Sequence, residues 1–239
     1  MASIQPKITI NGVASTSITG LMICSLPPIS KAPLRAQAEE IDGRDGDVIT
    51  KLGYGAYDKP FTIGLSGSYD IDAVIGYFNS EGKITFSNEP EKYYLFSQFD
   101  QIDFEKLIRF KTADVVVHVQ PFKYSTTEAE IVKTFSAQTG SKRIRNSGNY
   151  FSKPVITIEG SGNVEITLGG NLAVALDMST TSKIILDTDS LNATDDSGNL
   201  KNRLVTGSLE NLYFAIGNND IGFNGSVTKI SVKNYSRWL

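Results

Sequence analysis

Residues 155–178 read VITIEGSGNVEITLGGNLAVALDM, and their pattern indicates the fold of the second half of the chain. Three apolar runs alternate with two glycine-containing segments, Gly160–Asn163 and Gly169–Asn171. Within the middle run the apolar residues occupy every other position, as at Val164 and Ile166, which is the period of a half-buried strand. The stretch therefore predicts a β-meander with turn residues at each reversal.

Strand-like segments on the C-terminal side continue this pattern. They are Lys183–Asp187, Leu212–Gly217 and Ser226–Val232. Several short strands with frequent turn signals are typical of a β-sandwich, so we expect one in this half of the chain.

The first half is also predicted to be mainly β. Phe61–Tyr69 alternates apolar with small or polar residues, and three later segments are rich in β-branched and aromatic residues. These segments are Lys83–Ser87, Tyr93–Phe99 and Ala113–Phe122. Pro121 lies near the end of the last one. Because proline cannot donate to a strand ladder, we expect Pro121 to mark a strand end or a sheet edge.

One segment of the first half has a helical period. Asp70–Asn79 reads DIDAVIGYFN and predicts one short helix packed on a sheet, with Asp70 or Asp72 as its N-terminal cap. Its apolar residues at helical spacing are Ile71, Val74, Ile75 and Phe78. Phe104–Phe110 (FEKLIRF) fits either period, and we favour a strand there.

The chain is expected to form two domains, residues 1–136 and residues 137–239. Turn-rich residues surround the basic run Lys142–Arg145 at this boundary. Charge also changes there, since the first part has 13 basic and 17 acidic residues and the second has 10 and 9.

Met22–Asp47 is the least regular stretch of the sequence. It neither alternates nor follows a helical period, and it is long for a connection inside a compact domain. We therefore expect an extended arm or binding loop at about residues 22–47. The candidate contact residues in it are Pro27, Pro28, Pro33 and Arg35.

Composition limits the chemistry that this chain can perform. The 239 residues have a formal net charge of −3, with one cysteine and one histidine. A weak negative charge argues against a dedicated nucleic-acid binder. A single cysteine excludes an intrachain disulfide, and a single histidine excludes zinc sites that need two. No apolar run approaches the roughly 20 residues that span a bilayer, and no secretory signal is visible, so we expect no membrane partner.

No motif in the sequence indicates catalysis, a cofactor or a metal. A calcium site formed by Asp42, Asp45 and Asp47 would lack EF-hand spacing, and the acidic segment Asp187–Asp196 is typical of a solvated hairpin end. The sequence contains no GxSxG, P-loop or HExxH motif. The lone His118 lies in an apolar strand, where we do not expect a catalytic role. We therefore expect a protein that is not an enzyme and has no cofactor.

Several blocks in order along the chain resemble the distal tail protein (Dit) family of long-tailed phages that infect Gram-positive bacteria. The clearest blocks are Glu89–Tyr94 (EPEKYY), Ala113–Tyr124 (ADVVVHVQPFKY), Asn146–Pro154 (NSGNYFSKP) and Asn234–Leu239 (NYSRWL). The family-like positions are Arg44, Asp45, Gly46, Tyr93, Tyr94, Gln120, Pro121, Phe122, Asn149, Pro154, Arg237 and Trp238.

The resemblance implies a β-rich, ring-forming N-terminal domain with one helix and a protruding arm, followed by a galectin-like β-sandwich. It implies a homohexameric ring, sometimes stacked on a second ring, at the distal end of the phage tail in the virion, assembled in the host cytoplasm. The implied partners are the tail tube protein, a tail-tip (tail-associated lysin-like) protein and receptor-binding or baseplate proteins, with no specific nucleic acid and no membrane.

The alternative hypothesis is a stand-alone carbohydrate-binding module for host cell-surface glycans. It predicts exposed aromatic residues on the sandwich, with Tyr213, Phe214 and Phe223 as candidates. The galectin sugar site uses His and Trp on adjacent strands, whereas His118 and Trp238 lie outside the central strands expected here. This departure favours a protein that leaves receptor binding to a partner.

Overall fold

A computed structural model describes residues 5–135 and 139–239. The chain forms two compact units, a first unit that reaches Thr126 and includes Leu239, and a second unit, Thr127–Trp238. The expected boundary at 136/137 lies outside the described residues. The strands on both sides of it, Ile131–Thr134 and Thr139–Asn146, pair with the same strand of the second unit. In the described part of the chain, no helix is long and apolar enough to cross a membrane.

The first unit consists of strands with two α-helices. Its strands are β1 (Ile8–Ile10), β2 (Val13–Ala14), β3 (Leu21–Ser25), β4 (Leu34–Glu40), β5 (Asp47–Tyr54), β6 (Tyr57–Leu65), β7 (Gly82–Phe86), β8 (Lys92–Phe99) and β9 (Thr112–Ser125). Its helices are α1 (Ile71–Phe78) and α2 (Phe104–Phe110), with a 3-10 helix at Ser15–Ser17. The main sheet has the order β2-β1-β7-β8-β9-β6-β3, while β4 and β5 form a separate hairpin.

The core of the first unit comes from alternating strand residues. Phe61, Ile63 and Leu65 of β6 are buried, as their period of two predicted. They pack with Ile84 of β7 and with Val117 of β9 in one apolar cluster. The prediction of a mainly β fold is confirmed.

Helix α1 confirms the predicted helix and its cap. The side chain of Asp70 accepts hydrogen bonds from the backbone N–H groups of Asp72 (3.0 Å) and Ala73 (3.2 Å). Val74 and Phe78 are buried against the sheet. The spacing of these two residues therefore positions the helix on the core.

The preference for a strand at Phe104–Phe110 is wrong, since this segment is α2. The side chain of Asp103 accepts a 2.8 Å hydrogen bond from the backbone N–H of Lys106, and Leu107 is buried. Lys111, in the left-handed conformation, ends the helix. The apolar pattern of this segment fits both a helical and a strand period, so the N-terminal cap is the feature that favours the helix. The described part of the first unit thus has two α-helices rather than the single one expected.

Pro121 does not end its strand, which continues to Ser125. The pairing of β9 with β6 stops at Val119, and the register between β9 and β8 shifts after Val119 and resumes at Lys123. The proline therefore lies at an irregularity where no ladder hydrogen bond from it is required.

The second unit is also built from strands. They are β10 (Ile131–Thr134), β11 (Thr139–Asn146), β12 (Val155–Leu168), β13 (Asn171–Met178), β14 (Lys183–Asp187), β15 (Asn192–Thr194), β16 (Val205–Gly207), β17 (Gly217–Lys233) and β18 (Arg237–Trp238), with 3-10 helices at Asn202–Leu204 and Leu209–Leu212. The order is β10-β17-β12-β13-β16, with β11 also paired to β17 and with β14 between β12 and β15. Residues of these strands form a second apolar core.

The meander predicted at residues 155–178 has one reversal fewer than expected. Only Gly169–Gly170 forms a turn, between β12 and β13, whereas Gly160–Asn163 lies inside the continuous strand β12. The register between β12 and β17 shifts on both sides of this segment. A Cβ atom at Gly160 would collide with the carbonyl oxygen of Ser226, so this glycine permits a close approach of two strands instead of a turn.

The strand expected at Leu212–Gly217 is also absent from the structure. A 3-10 helix ends at Leu212, and only Phe214 forms an isolated bridge, with Ser152. Phe214 and Leu212 are fully buried. Core packing of single side chains explains the apolar pattern here better than a strand does.

Candidate functional site

The arm expected at residues 22–47 begins later and is more regular than the sequence indicates. Leu21–Ser25 is strand β3 of the main sheet, and residues 26–33 connect it to the β4–β5 hairpin. We call residues 34–54 the arm. Its two strands pair from Leu34 opposite Tyr54 to Glu40 opposite Asp47, and no other described strand pairs with either.

Apolar side chains of the arm are left uncovered by the described residues of this chain. Every residue of β4 is exposed. Leu34, Ile49 and Leu52 are 47%, 63% and 53% exposed. An isolated two-stranded hairpin is marginal in water, and a group of exposed apolar residues marks an interaction surface. The arm therefore has the properties of a surface that another molecule covers.

The tip of the arm holds the first family-like block. The backbone N–H of Arg44 donates to the carbonyl oxygen of Ile41 (3.1 Å), and Gly46 has a φ of 76°, a left-handed conformation suited to glycine. Arg44, Asp45 and Gly46 are all exposed there. In the described part of the chain, no three acidic, histidine or cysteine residues form a group that could hold a metal ion.

Four hydrogen bonds fix the connector that leads into the arm. In each, a carbonyl oxygen of residues 27–33 accepts from the body of the first unit. The donors and acceptors are Asn88 Nδ2 to Pro27 (2.9 Å), Lys59 Nζ to Pro28 (2.8 Å), Tyr57 hydroxyl to Ser30 (3.3 Å) and Gly55 N–H to Pro33 (2.9 Å). The prolines expected in the arm thus lie in its fixed base. Arg35 lies beyond them, exposed on β4.

Lys59 is the buried centre of this base. Its side chain is almost fully buried, and its Nζ lies 4.8 Å from the ring centre of Tyr94 and 5.8 Å from that of Phe86. Burial lowers the pKa of Lys59 to about 8, although the nearby Glu89 carboxylate opposes the shift. The Pro28 carbonyl and the aromatic faces hold this ammonium group in place.

A buried ion pair lies beside Lys59. Lys123 Nζ is 2.8 Å from Glu89 Oε1, and Tyr94 donates a 2.5 Å hydrogen bond to Glu89 Oε2. Burial opposes the charge of Glu89, but the hydrogen bonds from Lys123 and Tyr94 outweigh it and keep the pKa of this carboxyl below its ordinary value. The same burial, with the Glu89 contact, raises the pKa of Tyr94. We call Lys59, Glu89, Tyr94 and Lys123 the anchor.

Two other family-like blocks of the first unit, Glu89–Tyr94 and Ala113–Tyr124, contribute residues to the anchor or lie beside it. Tyr94 belongs to it, and Tyr93 stacks on Tyr124 with ring centres 5.5 Å apart. Phe122 packs edge-on against Tyr54 at the end of the arm, at 6.0 Å. The remaining positions are Gln120, which is exposed, and Pro121, which is half-buried. The structure thus brings two separated blocks together at the arm's base.

The family-like blocks of the second unit also converge. Arg237 is buried, its Nε donates to the carbonyl oxygen of Phe151 (2.6 Å), and its guanidinium lies 4.5 Å from the Phe151 ring centre. The buried Pro154 accepts hydrogen bonds from Thr188 through its carbonyl oxygen. Asn149 is exposed and Trp238 is half-buried. Arg237 and Pro154 thus make hydrogen bonds within the second unit.

A buried polar node lies between the same blocks. Asn234 Nδ2 donates to Glu128 (3.1 Å) and to Ser236 (2.7 Å), while its Oδ1 accepts from the hydroxyl of Ser152 (2.6 Å). Ser236 donates to Glu128 from both its backbone N–H and its hydroxyl. Each group finds a partner, so the node joins the two ends of the second unit.

Sequence reasoning missed Lys59, Glu89 and Lys123. A usable signal existed for Lys59, because it lies two residues before Phe61 and therefore on the inward face of β6. A charged residue at an inward position needs a buried partner. The identity of that partner could not be found, since Glu89 and Lys123 are distant in sequence.

Three other residues from the sequence-based candidates have polar partners in the structure. Arg143 of the basic run forms an ion pair with Asp220 (2.7 Å), and the Nδ1 atom of His118 lies 2.7 Å from Asp58. Asp195 accepts hydrogen bonds from Asn199, which lower its pKa to about 2.

The aromatic residues expected for glycan binding are mostly hidden. Phe214 and Phe223 are buried, and Tyr213 alone of the three is exposed. The three candidates therefore do not form an exposed aromatic surface.

Comparison with known proteins gives a likeness of fold. No family model matches the sequence, and no curated protein matches it. Among solved structures, the chain is similar to the crystal structure of SPP1 Dit, described as a paradigm of the hub adsorption apparatus in phages that infect Gram-positive bacteria. The TM-score is 0.65 at 16% identity, covering 98% of this chain and 99% of that one.

Two chains of the phage P2 baseplate in its activated conformation also match. The structure with Ca has a TM-score of 0.47 and the one with Sr has 0.48, both at 11% identity and both covering 96% of this chain. The two matches extend over 97% and 98% of the respective baseplate chains. The match to SPP1 Dit confirms the Dit-like fold that the sequence blocks implied.

Proposed function

We propose that this chain is a structural hub protein at the distal end of a phage tail. Six copies form a ring that connects the tail tube to the tail-tip protein and to receptor-binding or baseplate proteins. The protein acts by geometry, without catalysis and without a cofactor. The first unit forms the ring, and the second unit, a galectin-like sandwich, offers docking sites to partners.

The observation that supports this proposal most strongly is the likeness to SPP1 Dit over nearly the whole of both chains. With 98% of this chain covered, the likeness is not confined to one of its two compact units. The order of the sequence blocks supports the same family independently.

The arm supports a ring in particular. Its exposed Ile49 and Leu52 need a cover, and its strands expose backbone groups that a neighbouring copy can pair. An arm of one copy that binds a different surface of the next is a head-to-tail contact. Such contacts close into a ring when the rotation between copies permits it.

The anchor supports a fixed arm direction. Four hydrogen bonds hold the connector on the body of the first unit, and the donor Lys59 is itself buried. A ring of defined size needs a constant angle between neighbours. A fixed base of the arm supplies that angle, whereas a flexible base would produce mixed assemblies.

The test is the mass of the purified full chain by light scattering, followed by negative-stain imaging. We expect a six-fold ring. The variant Ile49→Asp/Leu52→Asp should give monomers, because charges on the arm oppose burial at the contact. The control Leu172→Asp changes an exposed leucine of the second unit and should leave the ring intact.

Two outcomes would count against the proposal. A chain that stays monomeric both alone and when co-expressed with tail-tip and tail tube proteins would contradict the ring. Rings that form equally well with both arm substitutions would contradict the role of the arm.

A further inference from the structure

Two adjoining cavities form a cleft on the second unit. Their volumes are about 260 Å³ and about 340 Å³, and they share the lining residues Leu191, Leu209 and Glu210. The first cavity is also lined by Phe151 and Tyr213. We call these two cavities together the Leu191 cleft.

Leu191 has an unusual backbone conformation at the centre of this cleft. It lies in the turn between β14 and β15, where Asp187 pairs with Asn192, and its φ is +56°. This left-handed region favours glycine or asparagine and is costly for a bulky side chain. The side chain is 42% exposed, so the core does not require a leucine. Strain of this kind occurs at binding sites.

An open sheet edge borders the second cavity. Val205 and Gly207 of β16 line it, and β16 pairs with β13 on one side only among the described strands. Such an edge presents unpaired N–H and C=O groups, to which an extended peptide can add as a further strand. Side chains of that peptide would alternate towards the cleft and away from it.

The first cavity has a largely apolar lining. The Tyr213 ring is 48% exposed and meets Phe151 edge to face at 5.7 Å. The guanidinium carbon of the buried Arg237 lies 4.5 Å from the centre of the Phe151 ring. The Thr188 hydroxyl is already bound to the carbonyl oxygen of Pro154 (2.8 Å). The lining is therefore preformed for an apolar group.

The cleft has one carboxylate that is not paired with a cation among the described residues. Lys153 is paired with Asp189 at 2.8 Å. The exposed carboxylate of Glu210 makes no ion pair or side-chain hydrogen bond with the residues that the structure describes. A cationic side chain of a ligand would complement Glu210.

We infer that the Leu191 cleft binds an extended polypeptide segment of a partner protein. The segment pairs with the open edge of β16 and places an apolar or aromatic side chain between Leu191 and Tyr213, with a Lys or Arg beside it that meets Glu210. This inference rests on the proposed function, because a hub needs a docking site, and it adds the location and chemistry of that site.

A polypeptide fits this cleft better than a saccharide. A sugar ring has hydroxyl groups on most of its carbons, and each buried hydroxyl needs a hydrogen-bond partner. Leu191, Leu209, Phe151 and Tyr213 supply mainly apolar surface, and the hydroxyl of Thr188 is already occupied. The backbone edge of β16 matches the regular donors and acceptors of an extended peptide instead.

The test uses the purified full chain and short, labelled, extended peptides with a central Leu, Phe or Tyr. The matched peptides carry either Lys or Glu beside that residue. Fluorescence anisotropy should show binding of the Lys peptides and about tenfold weaker binding of their Glu partners. In the Glu210→Lys variant this preference should reverse.

Leu191→Gly is the decisive variant, because it removes the side chain and also relieves the positive φ. Its thermal midpoint should be unchanged or higher, while its affinity for the Lys peptides should fall about tenfold or more. The control Leu172→Ala, an exposed leucine that does not line the cleft, should bind normally.

Three outcomes would overturn the inference. They are no binding by any peptide, equal binding by Leu191→Gly, and binding of a soluble cell-wall oligosaccharide that Leu191→Gly abolishes. The ring assay on the same samples separates this inference from the hub proposal. Rings without peptide binding overturn the cleft alone, whereas peptide binding by a chain that never forms rings overturns the hub alone.

Discussion

Lys59 Nζ donates a 2.8 Å hydrogen bond to the carbonyl oxygen of Pro28, which ties strand β6 of the first unit to the connector of the arm. Lys59 is almost fully buried, so its ammonium group has lost most of its hydration. The Pro28 carbonyl and the aromatic rings replace part of it. The direction of the arm therefore depends on a charge that is costly to bury.

Lys59 should make the stability of the first unit depend on pH between about 8 and 9.5. Burial lowers the folded pKa to about 8, while the unfolded pKa is 10.5, so the unfolded chain binds more protons in this range. Stability therefore rises with pH there, by up to about 1.4 kcal/mol per pH unit. Urea unfolding at several pH values measures this slope.

The Lys59→Met variant should flatten this pH dependence, because its side chain cannot titrate. Lys83→Met removes an exposed lysine of the same unit and should keep the slope of the unchanged protein. Equal slopes in the unchanged protein and in Lys59→Met would contradict the assignment to Lys59.

Removal of the arm should leave the first unit folded. No residue of the arm belongs to the apolar core, and the hydrogen bond between Gly55 and Pro33 closes its base. Replacing residues 35–53 by a short Gly/Ser linker should therefore shift the thermal midpoint by a few degrees at most, since about 1 kcal/mol corresponds to that scale. Calorimetry checks this, and loss of the folding transition would show that the arm is part of the core.

The buried polar node should be sensitive to loss of a single amide. Asn234→Ala takes away the acceptor of the buried Ser152 hydroxyl and one hydrogen-bond donor of both Glu128 and Ser236. We expect the second unit to lose about 2–4 kcal/mol of stability. Asn218→Ala, at an exposed position of β17, should change it by less than about 0.5 kcal/mol. Chemical denaturation compares the two variants, and equal losses would argue against the node.

Two glycines should respond in opposite directions to substitution by alanine. A Cβ atom at Gly148 would collide with the backbone of Arg237, so Gly148→Ala should cost about 2 kcal/mol or more. Gly76 lies inside α1 with open space around it, so Gly76→Ala should stabilise the first unit by about 0.5–1 kcal/mol. Thermal unfolding of the two variants measures whether each substitution raises or lowers stability. Stabilisation by Gly148→Ala would contradict the close packing of Gly148 against Arg237.

The anchor shows how far the sequence predicts the candidate site. The inward position of Lys59 follows from the alternation that also places Phe61 and Ile63, so a buried lysine could have been predicted. Its neighbours could not, because Glu89 and Lys123 reach it only through the pairing of separate strands. The arm was expected from its irregular sequence, but its two strands were not, since they have no buried face to impose a period.

The mainly β class, helix α1 with its Asp70 cap and the alternation of the first core can all be predicted from the amino-acid order, because they depend on neighbours within a few residues. Three features follow from contacts between distant segments instead. They are the close strand approach at Gly160, the helix at Phe104–Phe110 and the meeting of separate blocks at the anchor. Local periodicity shows which face of a helix or strand is apolar. Which distant element covers that face depends on strand pairing and burial, which the local pattern does not contain.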